Sequence, residues 1–337
     1  MPLQAPISFA GITVKAGERQ TIDLPAARLY THTHIDIPIQ VVHGRRAGPC
    51  LFVSGVIHGD EIIGVEIIRR LMQSKTLKNL KGTLVAIPVV NVFGFIQQSR
   101  YLPDRRDLNR FFPGSETGSL TSQLAHLFME EVVRKCTHGI DLHAGSNHRE
   151  NLPQIRAYLD NDETLRLAEA FGAPVIMDAN LLEGSLRQHA RDEGLQMLLY
   201  EGGEALRFTE SAVKVGLRGV ISVMRAIGML TPSKRKRHFQ PLVSKSSTWV
   251  RAPISGLLNA RVKLGDYVKL KQTLGHIVDP YGEESEPIIA KAEGIIVGRV
   301  NLPLVHRGEA LFHIARVNDA VGDETIEAYR QEFDPEV

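Results

Sequence analysis

The sequence lacks the features that mark secreted, membrane-spanning and nucleic-acid-binding proteins. Its 337 residues include only two cysteines, Cys50 and Cys136, so we expect no disulfide framework and a reducing compartment. No apolar run reaches membrane-spanning length, and residues 1–5 lack the basic start and apolar run of a signal peptide. The formal net charge of +2 gives no general attraction to nucleic acid or to an anionic membrane. These absences predict a cytoplasmic protein whose partners are neither nucleic acid nor membrane.

The chain nevertheless has enough apolar sequence for a substantial core. Hydrophobic residues make up 43% of it, which is ordinary for a soluble globular protein. A length of 337 residues accommodates one large domain and one small domain. We therefore expect a folded protein of two parts, and a homo-oligomer is compatible with this composition.

Predicted strands and helices alternate along the first 230 residues. Residues 1–45 indicate short strands with turns, and residues 35–42 alternate as an edge strand does. Further strands are predicted at 51–57, 82–88, 140–143, 157–159, 174–177 and 196–200, and helices at 61–72, 120–136, 162–171, 185–193 and 208–229. This alternation predicts an α/β fold with a mixed, mostly parallel sheet and helices on both faces.

A change of composition divides the chain. A run of four basic residues begins at Lys234, and a solvated linker explains it better than contact with nucleic acid, because the whole chain is nearly neutral. The predicted parts are a catalytic domain at 1–231 that includes the N-terminal strands 1–45, a basic linker at 232–245, and a β-sandwich domain at 246–337.

The C-terminal part contains an internal repeat. Residues 252–262 align with 290–300, and residues 272–277 align with 309–314. Two similar β halves that pack on each other close a small core without exposed edges. The repeat resembles the all-β biotinyl/lipoyl domain, but the hairpin 278–285 between the halves has no lysine to modify. The resemblance therefore implies a structural module or a lid, and not a carrier.

A candidate metal site begins at the end of the strand 51–57. His58 and Glu61 lie where this strand gives way to a helix, and strand ends are where open α/β sheets place their chemistry. An imidazole and a carboxylate both bind zinc, and a catalytic zinc takes three protein ligands. His143, at the end of the strand 140–143, is the candidate third ligand. A lone histidine is more often a surface or core residue, but its place on the same rim as His58 favours the ligand.

Other charged residues are candidates for contact with the second nitrogens of these imidazoles and with a substrate. Asp107 and Asp141 are available to hold the second nitrogens. The irregular stretch 91–118 has no periodicity, which is typical of functional or disordered segments. Within it, residues 100–110 combine arginines with an asparagine. This indicates either recognition of a carboxylate or a solvated loop whose arginines pair with aspartates.

Glu201 is the candidate general base. It follows an apolar run and precedes Gly202 and Gly203, so its carboxylate is expected to be partly desolvated and approachable. Such a position raises the pKa of a carboxyl group toward the working pH, as proton transfer requires. The alternative is that Glu201 caps the next element or pairs with an arginine.

Taken together, these residues resemble the succinylglutamate desuccinylase/aspartoacylase family, a branch of the zinc carboxypeptidase superfamily. The resemblance covers residues 45–230, and the appended β domain is also similar to the one that family members carry. The matching motifs, in order, are His58-x-x-Glu61, Arg100, Asp107-Leu108-Asn109-Arg110, Asp141-Leu142-His143 and Glu201-Gly202-Gly203. The resemblance implies a zinc carboxypeptidase-like fold for the catalytic domain.

The resemblance also implies a role for each matching residue. The implied roles are His58, Glu61 and His143 as ligands of one zinc ion, Asp107 as the partner of His58, Glu201 as general base and acid, Arg100 as the group that polarises the scissile carbonyl, and Asn109, Arg110 and Arg187 as substrate-binding residues. The spacing from Arg187 to Glu201 is longer here than in aspartoacylases.

The implied function is zinc-dependent amide hydrolysis. A zinc-activated water and Glu201 would remove an acyl group from an N-acyl amino acid or a related small amide, as in desuccinylases, aspartoacylases and deacetylases. A metallocarboxypeptidase acting on small peptides would use the same centre, and a non-catalytic zinc-binding protein would need no base. Pocket size separates the first two functions.

Overall fold

A computed structural model describes residues 3–233, 239–317 and 319–333 of the chain. Its strands are β1 (Ile7–Phe9), β2 (Ile12–Val14), β3 (Arg19–Arg28), β4 (His34–His43), β5 (Arg46–Gly55), β6 (Lys81–Ile87), β7 (His138–Gly145), β8 (Arg149–Ala157), β9 (Val175–Asp178), β10 (Gln196–Glu204), β11 (Leu242–Ser244), β12 (Ser247–Arg251), β13 (Gly256–Ala260), β14 (Tyr267–Val268), β15 (Thr273–Val278), β16 (Ser285–Ile289), β17 (Gly294–Val300), β18 (Leu304–Val305) and β19 (Ala310–Ala315). Its helices are α1 (Ile63–Gln73), α2 (Val92–Gln97), α3 (Leu120–Glu131), α4 (Asp162–Phe171), α5 (Leu186–Asp192), α6 (Glu210–Ala226) and α7 (Asp319–Phe333).

One mixed sheet of 13 strands forms the centre of the molecule. Its strand order is β12-β19-β17-β8-β10-β7-β5-β6-β4-β3, with β9 and β11 extending from β8 and β14 paired with β17. The central strands β6, β5, β7 and β10 are parallel to one another, and antiparallel partners flank them on both sides. The predicted mixed sheet is confirmed. Parallel pairs also join β8, β9 and β11. The expected parallel majority is nevertheless wrong for the sheet as a whole, because the N-terminal hairpin and the strands β12, β14, β17 and β19 extend it with antiparallel pairs.

Helices cover both faces of this sheet, as predicted. Apolar side chains of α1, α4, α6 and α7 pack on one face, and those of α2, α3 and α5 pack on the other. The side chains of β5 alternate between the two cores, with Leu51 and Val53 on one side and Phe52 on the other. Because both faces are covered, the central strands are rich in apolar residues on both sides, apart from polar residues such as Asp141 and His143 near the end of β7.

Most predicted elements of the first 230 residues are present within a few residues of their expected bounds. The structure adds α2 inside the irregular stretch 91–118, and it begins β8 at Arg149 where only residues 157–159 were predicted as a strand. A six-residue helix is too short to show periodicity. The first part of β8 carries polar residues and Pro153, which hide the apolar alternation of a strand.

The C-terminal strands belong to two sheets that enclose a separate core. β13, β15, β16 and β18 form a four-stranded sheet, whereas β12, β14, β17 and β19 belong to the main sheet. The first half of the predicted repeat supplies β13 and β15, and the second half supplies β17 and β19. Side chains from both halves, such as Ile277 and Ile314, pack together between the sheets. The two related halves therefore face each other across one core, as the repeat predicted.

This C-terminal segment is joined to the rest of the molecule at two places. β17 pairs with β8, so the main sheet continues from one part of the chain into the other. The sequence did not predict α7, which follows the last strand and places Ile326, Tyr329 and Phe333 in the core beneath α6. The segment is thus not built from strands alone.

The basic run at 234–238 lies outside the described residues. Part of the predicted linker, residues 242–244, forms β11, which pairs with β9 of the main sheet. The domain boundaries at 231 and 246 stay a prediction. Among the described helices, none is both long and apolar enough to cross a membrane.

Helix α1 crosses β5 at a contact between two glycines, Gly64 and Gly55. A Cβ added at Gly64 would lie 2.8 Å from the Cα of Gly55. Because the nearest atom belongs to the backbone, the helix or the strand would have to shift to make room. We predict that G64A lowers the free energy of unfolding by about 1–3 kcal/mol, as overpacking does in well-packed cores. Urea denaturation measures the loss.

The matched control for this prediction is Q73A, at the exposed end of the same helix. Its free energy of unfolding should stay within about 0.5 kcal/mol of the parent. Equal stability of G64A and Q73A would contradict the tight crossing.

Candidate metal centre and active site

Three neighbouring parallel strands bring the candidate residues to one edge of the main sheet. His58 follows β5, His143 lies near the end of β7, and Glu201 lies in β10, directly opposite His143 in the strand register. The chain turns sharply after β5, where Val56 has a φ of 57°, which is rare for a β-branched residue. The strand ends therefore assemble the site that the sequence predicted at this edge.

The loop from His58 to Glu61 is held against α2 by a close backbone approach. A Cβ added at Gly59 would lie 2.0 Å from the carbonyl carbon of Gly94, so only glycine fits at this position. The loop leads directly into α1, and the positions of both candidate ligands depend on this packing.

His58, Glu61 and His143 form a compact buried cluster. Their candidate ligand atoms all lie within 4.8 Å of one another, and the three residues are 4%, 2% and 2% exposed. The Nδ1 atom of His58 lies 2.7 Å from Oε1 of Glu61, and the Nδ1 atom of His143 lies 2.7 Å from Oε2. The two imidazoles therefore present the same nitrogen to the two oxygens of one carboxylate.

Each imidazole is fixed from behind by a second carboxylate. Nε2 of His58 lies 3.1 Å from Oδ1 of Asp107, and Nε2 of His143 lies 2.6 Å from Oδ2 of Asp141. Burial lowers the pKa of both histidines, but the surrounding carboxylates outweigh it, so the pKa of each histidine is raised. These carboxylates favour positive charge at the cluster.

The cluster fits a divalent metal. Two imidazoles and one carboxylate are a donor set that zinc accepts, with a position left for water. Imidazole ligands of metals typically donate their second N–H to a carboxylate, as the contacts with Asp107 and Asp141 allow. The structure thus brings together the predicted ligands and the predicted partner of His58.

Arg100 bridges the cluster and the loop that carries Asp107. Its Nη1 donates to Oε1 of Glu61 at 3.2 Å, and its Nε and Nη2 donate to Oδ2 of Asp107 at 3.2 and 2.8 Å. Nη1 and Nη2 each retain a second N–H. Arg100 lines the same cavity as the cluster, so it can donate to an oxygen bound there.

Glu201 faces the cluster across the cavity. Its Oε2 accepts a hydrogen bond of 2.8 Å from Nδ2 of Asn151, and its Oε1 lies 3.9 Å from Nε of Arg156. Burial raises the pKa of Glu201, although the charge of Arg156 acts in the opposite direction. The predicted desolvation of this carboxylate is therefore observed, and so is the pairing with an arginine that the sequence left open.

The remaining predicted substrate-binding residues, Asn109, Arg110 and Arg187, also line this cavity. Oδ1 of Asn109 accepts a hydrogen bond of 2.9 Å from the backbone N–H of Leu186, and Nη1 of Arg110 donates to the backbone oxygen of Asn109 at 2.6 Å. Arg187 is buried, and its Nη2 donates to the backbone oxygen of Asn180 at 2.8 Å. Asn109 and Arg110 belong to the irregular stretch 91–118, which therefore lies beside the cluster of His58, Glu61 and His143.

The cavity has a volume of about 470 Å³ and an excess of positive charge. Its charged lining residues are Glu61, Glu201, Arg100, Arg110, Arg149, Arg156 and Arg187. Burial and the nearby Arg156 lower the pKa of Arg187 to about 10. Nε of Arg149, Nε of Arg156 and Nη1 of Arg187 are buried and have no hydrogen-bond partner among the described residues. The cavity is therefore suited to a small anionic molecule.

The sequence did not predict several lining residues, among them Arg149, Asn151, Arg156 and Trp249. The first three lie on β8, whose early part lacks the pattern of a strand. Trp249 lies on β12 in the C-terminal segment, where its ring stacks on His313 with centroids 4.4 Å apart, and Arg149 lies over it. It is the only tryptophan in the chain, which is the one signal that could have singled it out.

The fold and the site place the chain among mixed α/β proteins with a His-Glu-His cluster at the carboxyl ends of parallel strands. Within that class, the chain belongs to the succinylglutamate desuccinylase/aspartoacylase family. The model of this family's catalytic domain matches residues 47–227, which is more than half of the chain. The resemblance found in the sequence is thereby confirmed.

Individual relatives support this assignment. The chain is 27% identical over 301 residues to the N-alpha-acetyl-L-2,4-diaminobutyric acid deacetylase of Halomonas elongata, a match that covers 85% of this chain and 87% of the relative. A succinylglutamate desuccinylase/aspartoacylase from Rhodobacter sphaeroides has a similar structure, with a TM-score of 0.82, 24% identity, and coverage of 94% of this chain and 100% of that one. The product-bound ectoine utilization protein EutE (DoeB) of Ruegeria pomeroyi matches with a TM-score of 0.82, 22% identity, and coverage of 94% and 99%. The two solved structures show the fold.

We predict that D141N weakens metal binding by about 10- to 100-fold, because the amide no longer offers His143 a charged acceptor. Competition with a chromophoric chelator measures the affinity for Zn²⁺. D23N, on the exposed face of β3, is the control and should bind Zn²⁺ as the parent does. An unchanged affinity in D141N would remove Asp141 from the metal site.

Proposed function

We propose that the protein is a zinc-dependent amidohydrolase that removes an acyl group from an N-acyl amino acid or a related small amide. The observation that carries this proposal is the convergence of His58, Glu61 and His143 on one point, with Glu201 facing them across a cavity. Membership of a family that includes a deacetylase supports amide hydrolysis as the reaction.

The charge and size of the cavity support a small acidic substrate. Asn109 and Arg110 lie at one side of it, where a guanidinium can hold a substrate carboxylate. Trp249 of the C-terminal segment also lines the cavity, so the segment reduces the space for a long peptide. A carboxylate held in this way aligns the amide with the catalytic groups.

The metal ligands, Glu201 and Arg100 each have a separate role in the proposed reaction. A zinc ion held by His58, Glu61 and His143 would supply a Lewis acid and would make a water molecule acidic at neutral pH. Glu201 accepts a proton at its carboxylate and then delivers it to the nitrogen of the leaving amine. The free N–H groups of Arg100 stabilise negative charge that develops on the carbonyl oxygen, which is worth about 3 kcal/mol per donor in comparable sites.

Two other functions use the same centre. A metallocarboxypeptidase would cleave short peptides, and a non-catalytic zinc-binding protein would turn over nothing. The cavity wall formed by Trp249 disfavours the first, and the partly buried carboxylate of Glu201 in the cavity disfavours the second. A panel of N-acetyl amino acids, N-succinyl amino acids and dipeptides separates all three. Turnover of dipeptides alone would refute the deacylase.

We predict that E201Q retains zinc and loses turnover by a factor of about 10²–10⁴, since the amide cannot carry the proton. Initial rates with the best N-acyl amino acid and the metal content of the purified protein measure the two effects. E204Q, three residues further along β10, is the control and should keep the parental rate. Parental turnover by E201Q would refute the assigned base.

We also predict that W249A changes the preference for acyl length. Loss of the ring enlarges the cavity, so the ratio of kcat/KM for a longer acyl group to that for acetyl should rise by roughly tenfold or more. W249F keeps an aromatic ring at this position and should retain most of the parental preference. If W249A has the parental profile across acetyl, butyryl and hexanoyl amino acids, Trp249 does not limit the acyl group.

A further inference from the structure

Asn151 is the one side chain that donates a hydrogen bond to Glu201 among the described residues. Its Nδ2 lies 2.8 Å from Oε2 of Glu201, and the residue is 8% exposed. Among the described residues, Oε1 has no donor at hydrogen-bond distance, since Nε of Arg156 is 3.9 Å away from it. The two oxygens of the carboxylate are therefore unequal, and Oε1 is the one available to exchange a proton.

The backbone around Asn151 restricts where its amide can lie. β8 runs between β10 and β17 at this point, and Asn151 is paired with Gly203 on one side and Gly298 on the other. A Cβ added at Gly298 would lie 3.0 Å from Oδ1 of Asn151, which is tighter than most such contacts. The C-terminal strand β17 therefore packs directly against the amide that holds Glu201.

The strand register of β10 changes at the same position. The pairing of β10 with both β7 and β8 shifts after Glu201, and Gly203 has a φ of 75°. Such an irregularity redirects the side chains beside it and leaves them less restrained by the sheet. A side chain from the neighbouring strand is then needed to hold the carboxylate in one orientation.

We propose that Asn151 is a positioning residue for the reaction, which orients the carboxylate of Glu201 and is itself held in place by the C-terminal strand β17. This proposal rests on the proposed function, because it takes Glu201 as the general base. It gives the C-terminal segment a second role besides the cavity wall at Trp249, since β17 sets the position of the amide.

The hydrogen bond also determines which oxygen of Glu201 is free for proton transfer. Without the donor at Oε2, the carboxylate can adopt other orientations, and fewer of them present a free oxygen to the reacting groups. The loss should therefore fall on kcat and leave substrate binding largely unchanged.

The test compares N151A, N151D and Q154A with the parent enzyme in its zinc-loaded form. N151D has the shape of the parent side chain, so it remains informative if N151A fails to fold. Gln154 is the matched control. It is a buried amide on the same strand and lies opposite Glu201 in the strand register, but its Nε2 donates to the backbone oxygen of Val297 in β17, and among the described residues no hydrogen bond joins its side chain to Glu201. The readouts are kcat, KM, zinc content and Tm.

For N151A we expect kcat to fall about tenfold with little change in KM or zinc content. N151D should lose kcat at least as strongly, because a carboxylate cannot donate the hydrogen bond to Glu201. Q154A should lower Tm and leave kcat near the parental value.

Two results would overturn the proposal: a parental kcat in N151A and N151D, or an equal fall of kcat in Q154A. Failure of the proposed function has a different signature. In that case the parent does not hydrolyse the N-acyl amino acids, or E201Q turns them over at the parental rate.

Discussion

The carboxylate of Glu61 joins the two imidazoles of the site, and the other charged groups are arranged around it. Each of its oxygens lies 2.7 Å from one Nδ1 atom, and Arg100 donates to one of them. A buried charge of this kind costs several kcal/mol unless partners compensate for it. Asp107 and Asp141 balance the positive charge that gathers there. The cluster is therefore one coupled unit, whose net preference is for a cation at its centre.

The C-terminal segment is part of this site through two strands. β17 extends the main sheet beside β8, and β12 carries Trp249 to the cavity. The related halves of the repeat face each other. Strands β17 and β19 of the second half lie in the main sheet, whereas β13 and β15 of the first half lie in the four-stranded sheet. The second half thus extends the main sheet beside β8, and the first half packs against it.

Local charge in the cavity differs from the charge of the whole chain. The formal net charge is only +2, but five of the cavity's charged side chains are arginines and two are glutamates. Buried nitrogens of Arg149, Arg156 and Arg187 that have no hydrogen-bond partner in the described part of the chain concentrate this charge away from solvent, where electrostatic interactions are stronger. Overall composition predicts no general affinity for nucleic acid, and it contains no information about the recognition of a small anion.

The sequence by itself determined the central strands, the helices on both faces and the cluster of His58, Glu61 and His143. These features depend on local periodicity and on the rule that chemistry lies at strand ends, so nearby residues carry the signal. Only the tertiary structure decided that Asn151 donates a hydrogen bond to Glu201 and that Trp249 lines the cavity. It also showed that a helix, α7, follows the last strand. Those contacts join residues far apart in the chain, and polar side chains that face a cavity interrupt the apolar pattern by which a strand is recognised.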